Sequence, residues 1–179
     1  MAFLRGLQRD ELQRLRAFAL LLLVEKQFSG ARGLELDDAM RLAIAVQACL
    51  PVLNLGLDSY RGWVGVIVYP GDFVIPRKLM SEDGVVHEFD DERAGESWQG
   101  GPVVLSWDAA RNAPDMNVVI HEFAHKLDMA NGSVDGMPLL PAAMSRVAWT
   151  QALGAAYDEF RARVEAGEHT AIDPYAAEN

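Results

Sequence analysis

His121-Glu122-Phe123-Ala124-His125 constrains this chain more than any other stretch of it. On an α-helix, side chains four apart share a face, with Cβ atoms roughly 5–6 Å apart. Two imidazoles so spaced can reach one small cation, typically zinc, at about 2.0–2.1 Å from each nitrogen. Glu122 then sits where its carboxylate meets a water on that cation, whose pKa zinc lowers from about 15.7 to about 7. H-E-x-x-H on a helix is therefore a signature of zinc-dependent peptide hydrolysis, with the two histidines as ligands and the glutamate as general base.

The flanks supply the helix. Asn117-Val118-Val119-Ile120 leads into the motif, and Phe123-Ala124 and Leu127 continue its apolar spacing. Asp115, after Pro114, is the expected N-cap. Asn131-Gly132 stops the helix, and Asp135-Gly136-Met137-Pro138 adds further turn signals. The competing reading is a pair of core histidines hydrogen-bonded to backbone. A buried polar group without a partner costs about 1–3 kcal/mol, so this apolar helix needs a reason for carrying three polar groups. One divalent ion supplies it.

Length and composition are those of one domain covering residues 1–179, with 50% hydrophobic residues to fill a core. A net charge of -10 argues against direct nucleic-acid binding, which needs a basic patch. Glu82, Asp83, Glu88, Asp90, Asp91, Glu92 and Glu96 crowd one segment with only Arg93 among them. That run reads as a solvated face, the alternative being a surface for a basic partner. The single cysteine, Cys49, excludes an internal disulfide and sits in an apolar stretch as an inert thiol. The longest apolar run, residues 17 to 24, is shorter than the roughly 20 residues a membrane helix takes. No membrane association and a cytoplasmic location are the expectations.

Along the chain, residues 8 to 28 read as one helix, broken by the stretch between Gly30 and Gly33. A second helix is expected from an N-cap at Asp37 or Asp38 to Leu50. Residues 64 to 68 form the clearest strand, 73 to 75 and 85 to 89 are shorter candidates, and 103 to 107 is another. After the motif, Trp149, Leu153, Ala156, Tyr157, Phe160 and Val164 make one stripe of a long helix, expected to pack into the core. Helices, then strands, then helices predict an α+β fold, mainly helical with a small mixed sheet.

With these segments placed, the chain resembles the Mlc titration factor A family of zinc peptidases. The likeness is carried by Val24-Glu25-Lys26-Gln27-Phe28, Ala45-Val46-Gln47-Ala48-Cys49-Leu50, Val68-Tyr69-Pro70-Gly71-Asp72-Phe73, Gly95-Glu96-Ser97 and Gly101-Pro102-Val103-Val104-Leu105-Ser106-Trp107. It continues through His121 to Asp128, Asn131-Gly132, Asp135-Gly136-Met137-Pro138 and Asp173-Pro174-Tyr175. The resemblance implies a cytoplasmic zincin-like metallopeptidase domain, similar to the catalytic domain of anthrax lethal factor. It further implies one Zn2+ ion, a peptidase of aminopeptidase type, and binding of the glucose repressor Mlc. The family's third ligand is a glutamate beyond the tyrosine that Tyr175 matches, on a following helix. The resemblance thus implies that this ligand and the C-terminal helices lie beyond Asn179. Without them the chain would hold metal weakly and could be inactive.

Further roles follow for individual residues. Asp128 shares the histidine face, either accepting the outer N–H of a ligand imidazole or serving as a helix-end carboxylate. Tyr175 either donates to the oxyanion of peptide hydrolysis or packs in a turn. The strand at 103 to 107 is either an edge on which a peptide adds or an internal strand. Glu96 is a candidate for a substrate amino group, and His87 and His169 read as surface residues. Two functions compete: a zinc peptidase, and a non-catalytic regulatory protein that sequesters a transcriptional repressor.

Overall fold

The computed structural model describes residues 4–80, 86–112, 117–170, 172 and 174–177, and for residues 75–80, 86–92, 112 and 175 it describes the backbone alone. The chain opens with α1 (Arg9–Glu25), which buries Leu15, Ala19 and Leu22 at helical spacing. The helix ends earlier than its apolar pattern predicts, and residues 27 and 28 are not helical. Lys26 turns inward, and its Nζ donates to the Tyr60 carbonyl at 2.8 Å and the Trp63 carbonyl at 2.9 Å. That frees Gln27–Gly30 to form β1. The second helix, α2 (Asp38–Ala48), is capped by Asp37, whose side chain accepts from Met40 N–H.

Five further strands follow: β2 (Gly65–Tyr69), β3 (Phe73–Met80), β4 (Val86–Arg93), β5 (Gly95–Ser97) and β6 (Val103–Ser106). The main sheet runs β1-β2-β6-β5, with β1, β2 and β6 parallel and β5 antiparallel to β6. β3 and β4 form a separate antiparallel pair, Phe73 opposite Arg93 and Met80 opposite Val86. Both strands run longer than the short candidates at 73 to 75 and 85 to 89. Residues 81–85 lie outside the description, as does part of the acidic run. The strand expected at 103 to 107 ends at Ser106, and Trp107 begins α3 (Trp107–Asn112). Flanked by β2 and β5, β6 is an internal strand and offers no edge; the edge beside it is β5.

The motif helix is α4 (Val118–Asp128), continued by a 3-10 turn at Met129–Asn131 that closes on Gly132 at φ 97°. Its N-cap is Asn117, whose side chain accepts from Ile120 N–H at 2.9 Å. The expected cap, Asp115, lies outside the described residues. Val118, Val119 and Phe123 join the core with Leu22, Ile44, Val66, Val103 and Leu105. Tyr60, Trp63 and Phe123 meet edge to face, with ring centroids 5.3 to 6.0 Å apart.

The long helix after the motif exists as α5 (Arg146–Glu165), but its stripe is not core. Among the described residues none of α5 is buried, and Leu153 and Tyr157 are 45% and 38% exposed. A 3.6-residue apolar period marks which face would be covered; whether something covers it depends on neighbouring elements. No helix among the described residues is long and apolar enough to cross a membrane.

Candidate metal centre

Helix α4 brings two histidine nitrogens together. His121 Nε2 and His125 Nε2 lie 3.1 Å apart, with ring centroids 4.6 Å apart and planes at 88°. Two nitrogens about 2.05 Å from a common tetrahedral ion would be roughly 3.3 Å apart, so the pair fits one cation with little adjustment. Both rings are half-buried. Burial holds the His121 pKa below its ordinary value, helped by His125 and Arg93. His125 is lowered by burial too, with Asp128 opposing. Neutral imidazoles are the form that ligates.

Glu122 lies deeper in the fold than the two histidines. It is 5% exposed and lies on the stripe of Val118, Val119, Phe123 and Lys126 that packs against core and sheet. Burial pushes its carboxyl up to about 7; Ser97 pulls it down, Glu96 pushes it up, and Arg93 and Lys126 pull it down. A carboxyl poised near neutrality exchanges protons in either direction at physiological pH. Its backbone is fixed as well, since Ser97 Oγ on β5 donates to the Glu122 carbonyl at 2.7 Å.

Two buried polar side chains hold α4 in place. At its N-terminus, Asn117 Nδ2 donates to Gln47 Oε1 on α2 at 2.8 Å. Gln47 Nε2 in turn donates to the Ala43 carbonyl at 3.0 Å. Nearer the C-terminus, Lys126, 4% exposed, sends Nζ to the carbonyls of Trp98 and Gly101 in the turn between β5 and β6. The same ammonium lies 5.2 Å from the Trp63 ring centroid, and Lys26 Nζ lies 4.3 Å from it. Burial lowers the Lys126 pKa to about 8.

The remaining candidates fall as follows. Asp128 Oδ2 accepts from Gly136 N–H at 3.1 Å, tying the helix end to the following loop. Its Oδ1 is shielded and makes no hydrogen bond among the described residues. Glu96 stands on β5 close enough to raise the Glu122 carboxyl. Tyr175 lies in a 3-10 turn, Pro174–Ala177, whose backbone alone is described at that residue. His169 is exposed, and His87 lies in β4, opposite Leu79. Cys49 is fully buried, and its thiol is pushed up to about 12 by burial.

Sequence reasoning missed Gln47, Gly95, Ser97, Asn117 and Lys126. Asn117 carried a local signal, an asparagine three residues before Ile120. The other four gain meaning only from groups more than twenty residues away. Among the described residues, no group of three or more His, Cys, Asp or Glu is arranged to hold a metal ion.

The profile of a family described as glucose-regulated metallo-peptidase M90 matches residues 1–179. Mlc titration factor A of Escherichia fergusonii is 39% identical over 181 residues, covering 97% of this chain and 68% of that protein. The protein of that name from Pectobacterium atrosepticum is 37% identical over 179 residues, covering 97% and 67%. An uncharacterized protein of Synechocystis is 38% identical over 186 residues, covering 100% and 67%. A whole-chain profile match and this level of identity place the chain in the glucose-regulated metallo-peptidase M90 family, a family of metallopeptidases.

Proposed function

We propose that this protein is a zinc-dependent peptidase of aminopeptidase type, with His121 and His125 as ligands to one Zn2+ ion and Glu122 as general base. The convergence of the two histidine nitrogens to 3.1 Å, on the helix that also buries Glu122, carries this reading. Two imidazoles are one short of the three protein ligands usual at catalytic zinc. The third is proposed to be a further glutamate of the family pattern that this chain resembles, and it is not assigned to Glu178.

Zinc, when bound there, supplies Lewis-acid polarisation of a carbonyl and acidifies water. Glu122 takes a proton from the attacking water and returns it to the departing amine. Its burial excludes bulk water from the carboxyl and keeps it near neutral range. An extended peptide is proposed to add along the β5 edge beside Glu122; this is supported by the Ser97 bond to Glu122 and by β5 pairing, among the described residues, with β6 alone. Tyr175 is proposed to donate to the developing oxyanion, and Asp128 to orient His125 through its charge.

Hydrolysis of aminoacyl chromogenic substrates, with and without a chelator, tests the reading. Turnover that disappears with chelator and returns with zinc is the expected result. Absence of turnover in the zinc-loaded protein rejects it.

A second reading rests on the name of the relatives. Relatives carry the name Mlc titration factor A, and we propose that this chain also binds Mlc, which the family resemblance implies is a glucose repressor. Co-purification with Mlc in the presence of chelator separates the two functions, since binding without metal does not need hydrolysis.

A further inference from the structure

We propose that Gly95 is a positioning residue that aims Glu122, an inference that rests on the assignment of Glu122 as general base. A Cβ built at Gly95 would fall 2.7 Å from Glu122 Cγ, 2.7 Å from Glu122 Oε1 and 2.7 Å from Val118 Cγ2. Non-bonded carbons settle at about 3.5–4.0 Å, so no side chain fits that space as the fold stands. The glycine is not there for its backbone freedom, because Gly95 is absent from the glycines with positive φ. Its missing methyl is the slot in which the Glu122 side chain lies.

Neither wall of the slot can retreat easily. On one side, Gly95 is paired with Leu105 of β6, which is fully buried and held in turn by β2. On the other, α4 is anchored by Val118, Val119 and Phe123 in the core. Its cap is bonded to Gln47, and Lys126 is bonded into the turn after β5. The Ser97 hydroxyl ties strand and helix directly, 2.7 Å from the Glu122 carbonyl. Of the groups around the slot, the Glu122 side chain has the most rotatable bonds. A methyl at residue 95 therefore displaces the carboxyl and leaves the α4 backbone, and with it the histidine pair, where it is.

The consequence is chemical. A general base must lie within about 2.6–3.2 Å of the proton it takes, and a misplacement of about 1 Å can cost 100-fold in rate. The edge strand thus acts as a gauge for the base as well as a candidate docking edge for peptide.

The test compares Gly95→Ala with the unaltered chain and with Gly95→Ala/Glu122→Ala. A crystal structure of Gly95→Ala is expected to show the Glu122 carboxyl moved while the two Nε2 atoms keep their separation, and zinc content is expected to stay unchanged. In the zinc-loaded enzyme, kcat falls by up to about 100-fold with KM little altered. Part of the thermal midpoint lost in Gly95→Ala is recovered in the double variant, which removes two of the three close contacts. If Gly95→Ala does not fold, folding of the double variant supports the proposal and its failure to fold overturns it. An unmoved carboxyl, with Val118 or β5 shifted instead, also overturns it, as does a midpoint loss that Val118→Ala recovers and Glu122→Ala does not. Retained turnover in Glu122→Gln would reject the base assignment alone, leaving the displaced carboxyl in the crystal as an independent result.

Discussion

Gln47 accepts a hydrogen bond at 2.8 Å from Asn117, the residue that caps the helix carrying both histidines. Seventy positions apart in the chain, these two amides connect the middle of the molecule to the start of its candidate metal centre. Each is otherwise spent on backbone: Asn117 Oδ1 accepts from Ile120 N–H, and Gln47 Nε2 donates to the Ala43 carbonyl. Asn117→Ala should therefore destabilise the protein by about 1–2 kcal/mol, the usual cost of losing a cap. Gln47→Ala should cost a similar amount, since it strands a buried amide donor. Chemical denaturation of both single variants and the double checks this. Strict additivity would show that the two side chains do not act as one unit.

Removing either imidazole should abolish tight metal binding. His121→Ala and His125→Ala are each expected to weaken zinc affinity by more than the roughly 10–100-fold typical of losing an outer hydrogen-bond partner of a ligand. Calorimetric titration with zinc, at a pH where both rings are neutral, gives the number. An unchanged affinity in either variant would remove that histidine from the ligand set.

Glu122→Gln separates binding from chemistry. The amide keeps the shape and cannot take a proton, so zinc content should hold while turnover drops by about 100-fold or more. Metal analysis on the same sample used for kinetics makes the comparison direct. Full turnover in this variant would assign the proton transfer to another group.

Lys126→Met keeps the apolar stem and deletes the ammonium. Two carbonyls, those of Trp98 and Gly101, lose their charged donor. Hydrogen bonds to charged groups contribute about 1.5–3 kcal/mol, so the fold should weaken measurably. The loss should be local first. The Gly101 N–H, which donates to the Trp98 carbonyl at 3.0 Å, should exchange faster with deuterium than in the unaltered protein. Equal protection in both would mean that Lys126 does not hold the turn.

Cys49 gives a pH-dependent expectation with a fixed sign. In the fold its thiol stays protonated up to about 12, against an ordinary value of 9.0, because burial disfavours the thiolate. Between those limits the unfolded chain has released the proton and the native chain has not. Stability should therefore fall as pH rises from about 9 toward 12. Cys49→Ala should show a shallower fall over that window, leaving the part that buried Tyr60 contributes in the same direction. At pH 8 a disulfide reagent should leave the native thiol unmodified and react once the chain is denatured. Rapid labelling of native protein would contradict the burial.

Much of this molecule is written in local patterns. The helix at Val118–Asp128 follows from apolar spacing, a capping asparagine and a closing Asn131-Gly132, and a helix is all that histidines four apart need to converge. The helices at Arg9–Glu25, Asp38–Ala48 and Arg146–Glu165 were legible for the same reason, since a 3.6-residue period needs no distant partner to be seen. What was illegible depends on partners far along the chain. Gln27–Gly30 and Gly95–Ser97 are too short to show an alternation, and they become strands because β2 and β6 lie beside them. Lys26 ends its helix early because the carbonyls of Tyr60 and Trp63 accept hydrogen bonds from its buried ammonium. The sheet order makes β6 internal and β5 the edge, which no periodicity reports. The stripe on α5 has the same pattern as that on α1, yet only α1 meets a surface that buries it. Local chemistry decides which residues can present a metal with two nitrogens and a carboxylate. Packing decides where the carboxylate points, because the space beside Gly95 exists only once strand and helix have docked.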